Sequence, residues 1–249
     1  MNARPKVGLF VTCLVDLVRP NVGFAAVNLL EQAGCNVDVP VQTCCGQPAW
    51  NSGADKHAAD LARPLIEAFE PFDYVVAPSG SCAGMIKRHY PEALANDAQW
   101  LPRAQALAAK THELVSFLVN VRGMKQVEVR GAARVCYHDS CSSLREMRVR
   151  EEPRALLASV EGVEVSELKE PEVCCGFGGL FSVKYPEISE RMADGKIADV
   201  QSTGADLMLG GDLGCLLHLK GRMQRNGIKL RVRHVAEVLA GMDDQALGE

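Results

Sequence analysis

Two Cys-Cys-Gly triplets, Cys44-Cys45-Gly46 and Cys174-Cys175-Gly176, lie 130 residues apart in a chain of 249. Each has a lone cysteine upstream: Cys13 is 31 residues before Cys44, and Cys141 is 33 before Cys174. Each also has one downstream, Cys82 at 37 residues after Cys45 and Cys215 at 40 after Cys175. Corresponding cysteines are thus offset by 128, 130, 130 and 133, a drift that short loop insertions account for. Other pairs keep the register, Gly34 with Gly162 and Val37 with Val165 at 128, and Asp73 with Asp206 at 133. A chain written as two copies of one unit is expected to fold as two copies of one architecture.

The apolar periodicity repeats with the cysteines. Residues 6–12 read as a strand, followed by a helical stretch ending at Gly34, a strand over 37–41 running into the first triplet, a helix over 54–69 and a strand over 74–77. The second half repeats this with strands at 134–137, 163–168 and 206–210 and helices at 153–160 and 187–201. Alternating strands and helices imply parallel α/β units with right-handed crossovers. A long helical segment over 102–121, ended by Arg122-Gly123, reads as the connector, giving a first domain over 1–125 and a second over 126–249. The eight repeated cysteines then fall at strand carboxyl-terminal ends or in the loops just after them, where open α/β sheets place ligand sites.

Ten cysteines in all need a redox context. The amino-terminal sixteen residues lack the layout of a secretory leader, and no apolar run approaches the roughly 18 residues of a membrane span, so a cytoplasmic chain is expected. A formal net charge of −4 argues against sequence-independent binding to nucleic acid. Thiols kept reduced in that compartment read first as metal ligands or redox groups. Adjacent cysteines have Cα atoms about 3.8 Å apart, below the usual disulfide span of about 4.4–6.8 Å. Both thiols of each pair therefore stay available.

Four thiolates per half match tetrahedral zinc or a four-iron cluster. Cys-x2–4-Cys pairs, common in zinc sites, are missing, and two side chains diverging from neighbouring Cα atoms suit a polynuclear object, so iron–sulfur is preferred. Gly46 and Gly176-Phe177-Gly178-Gly179 would bring backbone N–H groups close to it. Beside the cysteines, His138 and Asp139 can hydrogen-bond a thiolate or move a proton, with helix capping as the structural use of Asp139. Cys35 and Cys136 lack partners in the other half and read as core or surface thiols. His57, His89, His112, His218 and His234 read as solvated or satisfied groups, Trp50 and Met85 as shields against water, and Arg145, Arg148 and Arg150 as a solvated face.

The cysteine repeat resembles the cysteine-rich CCG domain of heterodisulfide reductase B subunits, glycolate oxidase and related iron–sulfur oxidoreductases. Within that group, Pro78-Ser79-Gly80-Ser81-Cys82 and Tyr137-His138-Asp139-Ser140-Cys141 are similar to the lactate-utilisation branch. The resemblance covers almost the whole chain. It implies an iron–sulfur electron-transfer subunit of a complex oxidising L-lactate to pyruvate, with a ferredoxin-like iron–sulfur subunit and a third subunit as partners. It also implies up to two clusters, of the [4Fe–4S] type, held by Cys13, Cys44, Cys45 and Cys82 and by Cys141, Cys174, Cys175 and Cys215. The heterodisulfide reductase pattern ends each repeat in Cys-x-x-Cys; here Ser79 and Asp212 stand at the first of those positions, so four thiols remain per half. Ser79, Asp212, Gly46 and Gly176 are accordingly expected at the cofactor's edge. No ferredoxin motif and no G-x-G-x-x-G fingerprint is present, and the sequence assigns no catalytic residue. A zinc-bound or metal-free scaffold and a thiol–disulfide reductase are the competing readings.

Overall fold

Strands β1 (Lys6–Leu9), β2 (Asn36–Asp38), β3 (Tyr74–Ala77) and β4 (Thr111–Glu113) form a parallel sheet in the order β2-β1-β3-β4. Strands β5 (Arg130–His138), β6 (Glu161–Ser166), β7 (Leu207–Gly210) and β8 (Arg231–His234) form a second with the equivalent order β6-β5-β7-β8. This computed structural model describes residues 4–242 and 246–248; the start of the stretch read for a leader and parts of the carboxyl-terminal end lie outside them. The expected pair of repeated α/β units with parallel sheets is what the chain adopts.

Helix formation follows apolar spacing. The helix Asp55–Phe69 buries Ala58, Ala62, Leu65, Ile66 and Phe69, one stripe at intervals of three and four residues. Central strands are buried on both faces, as parallel sheets require: β7 is buried along its whole length, and Val75, Val76 and Ala77 of β3 are inaccessible. Between the sheets the two halves share one core, in which Val7, Leu9, Leu29 and Val115 meet Val135, Tyr137, Leu157 and Val235.

The connector differs from the expected single helix. A helix Leu101–Ala109 stops, β4 follows, and a short helix Leu114–Ser116 runs into a π-helical turn at Phe117–Val121. Pairing of β4 with β3, Val75 opposite Thr111 and Ala77 opposite Glu113, outweighs the local helical preference because it satisfies the otherwise unpaired edge of β3. Strand β8 does the same for the second sheet. The strand expected over 37–41 ends at Asp38, leaving the stretch before Cys44 as loop.

Three contacts tie the halves together near the strand ends. The helix Gly80–Gly84 lies so close to the helix Cys141–Arg145 that a Cβ on Gly80 would stand 2.7 Å from the Cα of Ser143. The carboxylate of Asp212 accepts hydrogen bonds from Ser81 N at 2.9 Å and Ser81 Oγ at 3.2 Å. Arg19 pairs with the fully buried Glu237 at 2.7 Å. Helix caps follow the repeat: Glu113, ending β4, accepts from Ser116 N at 2.9 Å, and His234, ending β8, accepts from Ala236 N at 3.2 Å. Burial pushes Glu113 up to about 7 and His234 down to about 4.

Gly80→Ala is expected to lower stability by about 1–3 kcal/mol through overpacking, read as the denaturant midpoint at constant m-value; an unchanged midpoint would contradict the close approach. Glu113 binds its proton more tightly folded than unfolded, so its contribution is full below about 4.5, its ordinary value, and is lost as pH rises through about 7. Glu113→Gln is therefore expected to gain Tm relative to the parent chain as pH rises across that window. A flat difference would place the carboxyl in a more polar setting.

Candidate metal centre

All four lone cysteines of the repeat fall in the first turn of a helix that follows a strand. Cys13 and Cys141 are the first residues of the helices Cys13–Val18 and Cys141–Arg145, whose caps Thr12 and Ser140 accept from Val15 N and Ser143 N at 3.3 Å. Cys82 and Cys215 are the third residues of the helices Gly80–Gly84 and Leu213–Arg225. Ser79 caps the former, accepting from Cys82 N at 3.3 Å. The side chain of Asp212, at the cap position of the latter, reaches instead across to Ser81. Because β1 neighbours β3 and β5 neighbours β7, each helix start lies beside its partner's at the same carboxyl edge.

The vicinal pairs approach from loops. After each pair the chain turns through a glycine in the left-handed region, Gly46 at φ 85° and Gly176 at φ 87°. Any Cβ on Gly176 would stand 2.6 Å from the carbonyl oxygen of Ser189. In the first half the fully buried Tyr90 donates from its hydroxyl to Cys45 O at 2.9 Å and pins the loop.

The result is two sets of converging free thiols. In the first, Cys45 Sγ lies 3.4 Å from Cys82 Sγ, beyond any disulfide, and Cys44 lies within hydrogen-bond reach of Cys13 and Cys45. Thiol donation from Cys13, then Cys45, holds the Cys44 thiol far below its usual range, while Cys44 and burial push Cys13 up. The second set repeats the pattern: Cys141 and Cys175 donate toward Cys174 and depress it, helped by Gly176 N at 3.3 Å from its sulfur. Such chains of thiols sharing protons bind a thiophilic cation by releasing them.

Surroundings separate the two sets. Cys45 and Cys82 are embedded in apolar packing with Phe10 and Met85, and Trp50 packs against that cluster, in line with the shielding read from the sequence. Cys13 is exposed. Beside the second set lies His138, buried, one of its ring nitrogens within 4.8 Å of the sulfurs of Cys175 and Cys215, which are within the same distance of each other. A cleft of about 90 Å³ opens onto this set, lined from the first half by Gln47, Asn51 and Ser81.

Other residues settle differently. Asp139 is not the helix cap; that is Ser140, while Asp139 forms a bidentate pair with Arg154 at 3.0 and 2.8 Å. An aspartate one residue before the cap is free to pair, and Arg154 lies 15 positions away, beyond local sequence patterning. Cys35 and Cys136 are core thiols. Among the scattered histidines, His89 pairs with Glu92 at 2.9 Å, His218 lies 3.3 Å from Ser189 Oγ, and His234 is a buried cap. Arg145, Arg148 and Arg150 are exposed. Tyr90 and Gln47 carry no motif that would have singled them out, and Ser81 lies in a quoted motif that gives it no role of its own.

The donor sets fit a thiophilic metal or an iron–sulfur group: four soft donors converge in each half, none is consumed in a disulfide, and a buried imidazole stands at the second. Asp212→Ala, which strands the Ser81 N–H at the seam, is expected to cost about 1–3 kcal/mol; Asp212→Asn, which keeps one acceptor, is expected to recover part of it, both read by chemical denaturation of the apo chain.

The family model of the cysteine-rich domain (CCG) matches residues 7–87 and 135–220. Over 235 residues the chain is 48% identical to lactate utilization protein A of Geobacillus sp. (strain WCH70), covering 94% of this chain and 98% of that one. Over 236 residues it is 45% identical to lactate utilization protein A 2 of Bacillus cereus (strain Q1), with the same coverages. Among solved structures, a hypothetical protein from Helicobacter pylori aligns with TM-score 0.69 at 10% identity, over 98% of this chain and 52% of that one, a likeness of fold alone.

Proposed function

The chain belongs to the CCG cysteine-rich domain family, and on that premise we propose that it is the iron–sulfur electron-transfer subunit of a complex that oxidises L-lactate to pyruvate. The observation that carries this reading is the doubling of a four-thiol set at the carboxyl edges of two adjoining parallel sheets. Bound there, an iron–sulfur cluster supplies one-electron storage at a potential tuned by its surroundings. Cys13, Cys44, Cys45 and Cys82 would hold the first, and Cys141, Cys174, Cys175 and Cys215 the second. Gly46 and Gly176 shape the loops, and the apolar packing around Cys45 and Cys82 keeps water away.

Abstraction of hydrogen from the hydroxy acid is assigned to a partner, since the chain carries no nicotinamide or flavin fingerprint. Partner contact is favoured at the rims of both sites. Leu17 and Val41 flank Cys13 and the first vicinal pair at 80% and 97% exposure, and Val183 and Ile188 follow the second pair at 74% and 54%. Apolar side chains so exposed around redox groups suit docking of a ferredoxin-like subunit and a third subunit. Across the described residues no helix is long and apolar enough to cross a membrane.

Ser79 and Asp212 set which cluster forms. A hydroxyl or carboxylate is a harder donor than thiolate, and both are engaged elsewhere, Ser79 in capping its helix and Asp212 at the seam, so four thiolates per half carry the assembly.

Anaerobic reconstitution with iron and sulfide is expected to give about four irons per quartet and thiolate-to-iron absorption in the visible. Cys44→Ser and Cys174→Ser should each remove about half the iron. Protein that takes up zinc but no iron, or that shows no visible band, would overturn the cluster reading.

A further inference from the structure

We propose that His138 is a metal ligand of the second site, acting with Cys175 and Cys215, and that the two halves therefore hold chemically different centres. The inference rests on reading the second quartet as a metal site, but not on the metal being iron.

His138 ends β5 at 1% exposure, and neither ring nitrogen has a hydrogen-bond partner among the described residues. Burying an imidazole with both nitrogens unmatched is unfavourable unless something else engages them. The same chain shows how it treats a structural imidazole at equal depth: His234 accepts from Ala236 N through Nδ1 at 3.2 Å and places Nε2 3.2 Å from Pro78 O. His138 has no such arrangement. What faces it is sulfur.

One ring nitrogen of His138 and the sulfurs of Cys175 and Cys215 all lie within 4.8 Å of one another. Donors bound to one metal at about 2.0 Å for nitrogen and about 2.3 Å for sulfur stand about 3.6 Å apart at a tetrahedral angle. The triad is therefore of the size that a single metal atom closes. Each donor comes from a separate element: His138 from the end of β5, Cys175 from the loop turned by Gly176, Cys215 from the first turn of the helix Leu213–Arg225. Cys174 and Cys141 continue the donor set beyond the triad.

The first half lacks this group. By the repeat register of 128, the position of His138 is taken by Phe10, which is inaccessible and packs with Cys45 and Cys82. So the first site is bounded by thiols and an aromatic wall, the second by thiols and an imidazole. Where the imidazole takes the place of one thiolate on a metal atom it brings less negative charge, which raises a cluster's potential. Electrons entering at the exposed Cys13 side would run downhill toward the second site, where the cleft opens.

Cadmium tests the ligand assignment independently of cluster assembly. The apo chain, labelled with 15N-histidine, is loaded with 113Cd²⁺ and its cadmium spectrum recorded. Two bound ions are expected, one split by scalar coupling to an imidazole 15N and one not. In His138→Phe, which copies the first half, the splitting should vanish; in His138→Cys the resonance should move toward the all-sulfur position. Cadmium bound at the second site with no 15N splitting in the unmutated chain overturns the inference, as does failure of that site to bind cadmium at all. Iron and sulfide analysis of the reconstituted protein bears on the cluster reading alone, so the two can fail separately.

Discussion

Adjacency of β1 with β3, and of β5 with β7, is the constraint on which both sites depend. Cys13 and Cys82 are far apart in sequence, yet a parallel pair in register at Val7–Tyr74 and Leu9–Val76 delivers both chain segments to one edge. All strands of a parallel sheet point the same way, so every strand-to-helix turn of a half opens on the same side. Cysteines placed early in those helices converge without any long-range device. Only the vicinal pair needs special backbone, and a left-handed glycine after each pair provides it.

The seam between halves is where the two copies stopped being equivalent. Ser79 and Asp212 occupy matching positions, but Ser79 caps its own helix while Asp212 binds Ser81 of the other half. Glu113 and His234 both end the fourth strand of their sheet and both cap a short helix, one through oxygen and one through nitrogen. Cys82 and Cys141 ride on two helices that touch through Gly80 and Ser143. A displacement in one cysteine-bearing helix must therefore be felt by the other, since a close-packed contact of this kind cannot yield without moving backbone.

Much of this was legible in residue order. Eight cysteines in register specified two copies of one α/β unit, and the strand at 74–77 and the helix over 55–69 fall where apolar periodicity put them. The fourth strand of each sheet was not legible, for a physical reason. Thr111-His112-Glu113 and Arg231-Val232-Arg233-His234 are short edge strands, carrying polar or charged residues and little β-branched character. Their pairing partner is set by the sheet, not by their own composition. Likewise Tyr90, Ser81 and Arg154 act through partners 45, 131 and 15 positions away, which no local pattern announces. Asp139 is not the cap its position suggests, because the serine beside it performs that role and leaves the carboxylate to Arg154.

On the proposed electron-transfer reading, asymmetry between the two centres has a physical use. Two identical centres have equal potentials and give an electron no preferred resting place; a difference is needed for net direction. The chain offers three differences at or near the centres: the exposure of Cys13, the cleft at the second quartet, and Phe10 against His138. Of these the last lies against the thiols themselves. A fully buried phenylalanine contributes apolar volume and excludes water, favouring the state of lower charge. A buried imidazole, a smaller planar ring, offers a nitrogen lone pair at the same register position, so exchange of one for the other changes the chemistry there. That the exchange occurs at a strand end, three residues before Cys141, means the surrounding fold need not change to accommodate it.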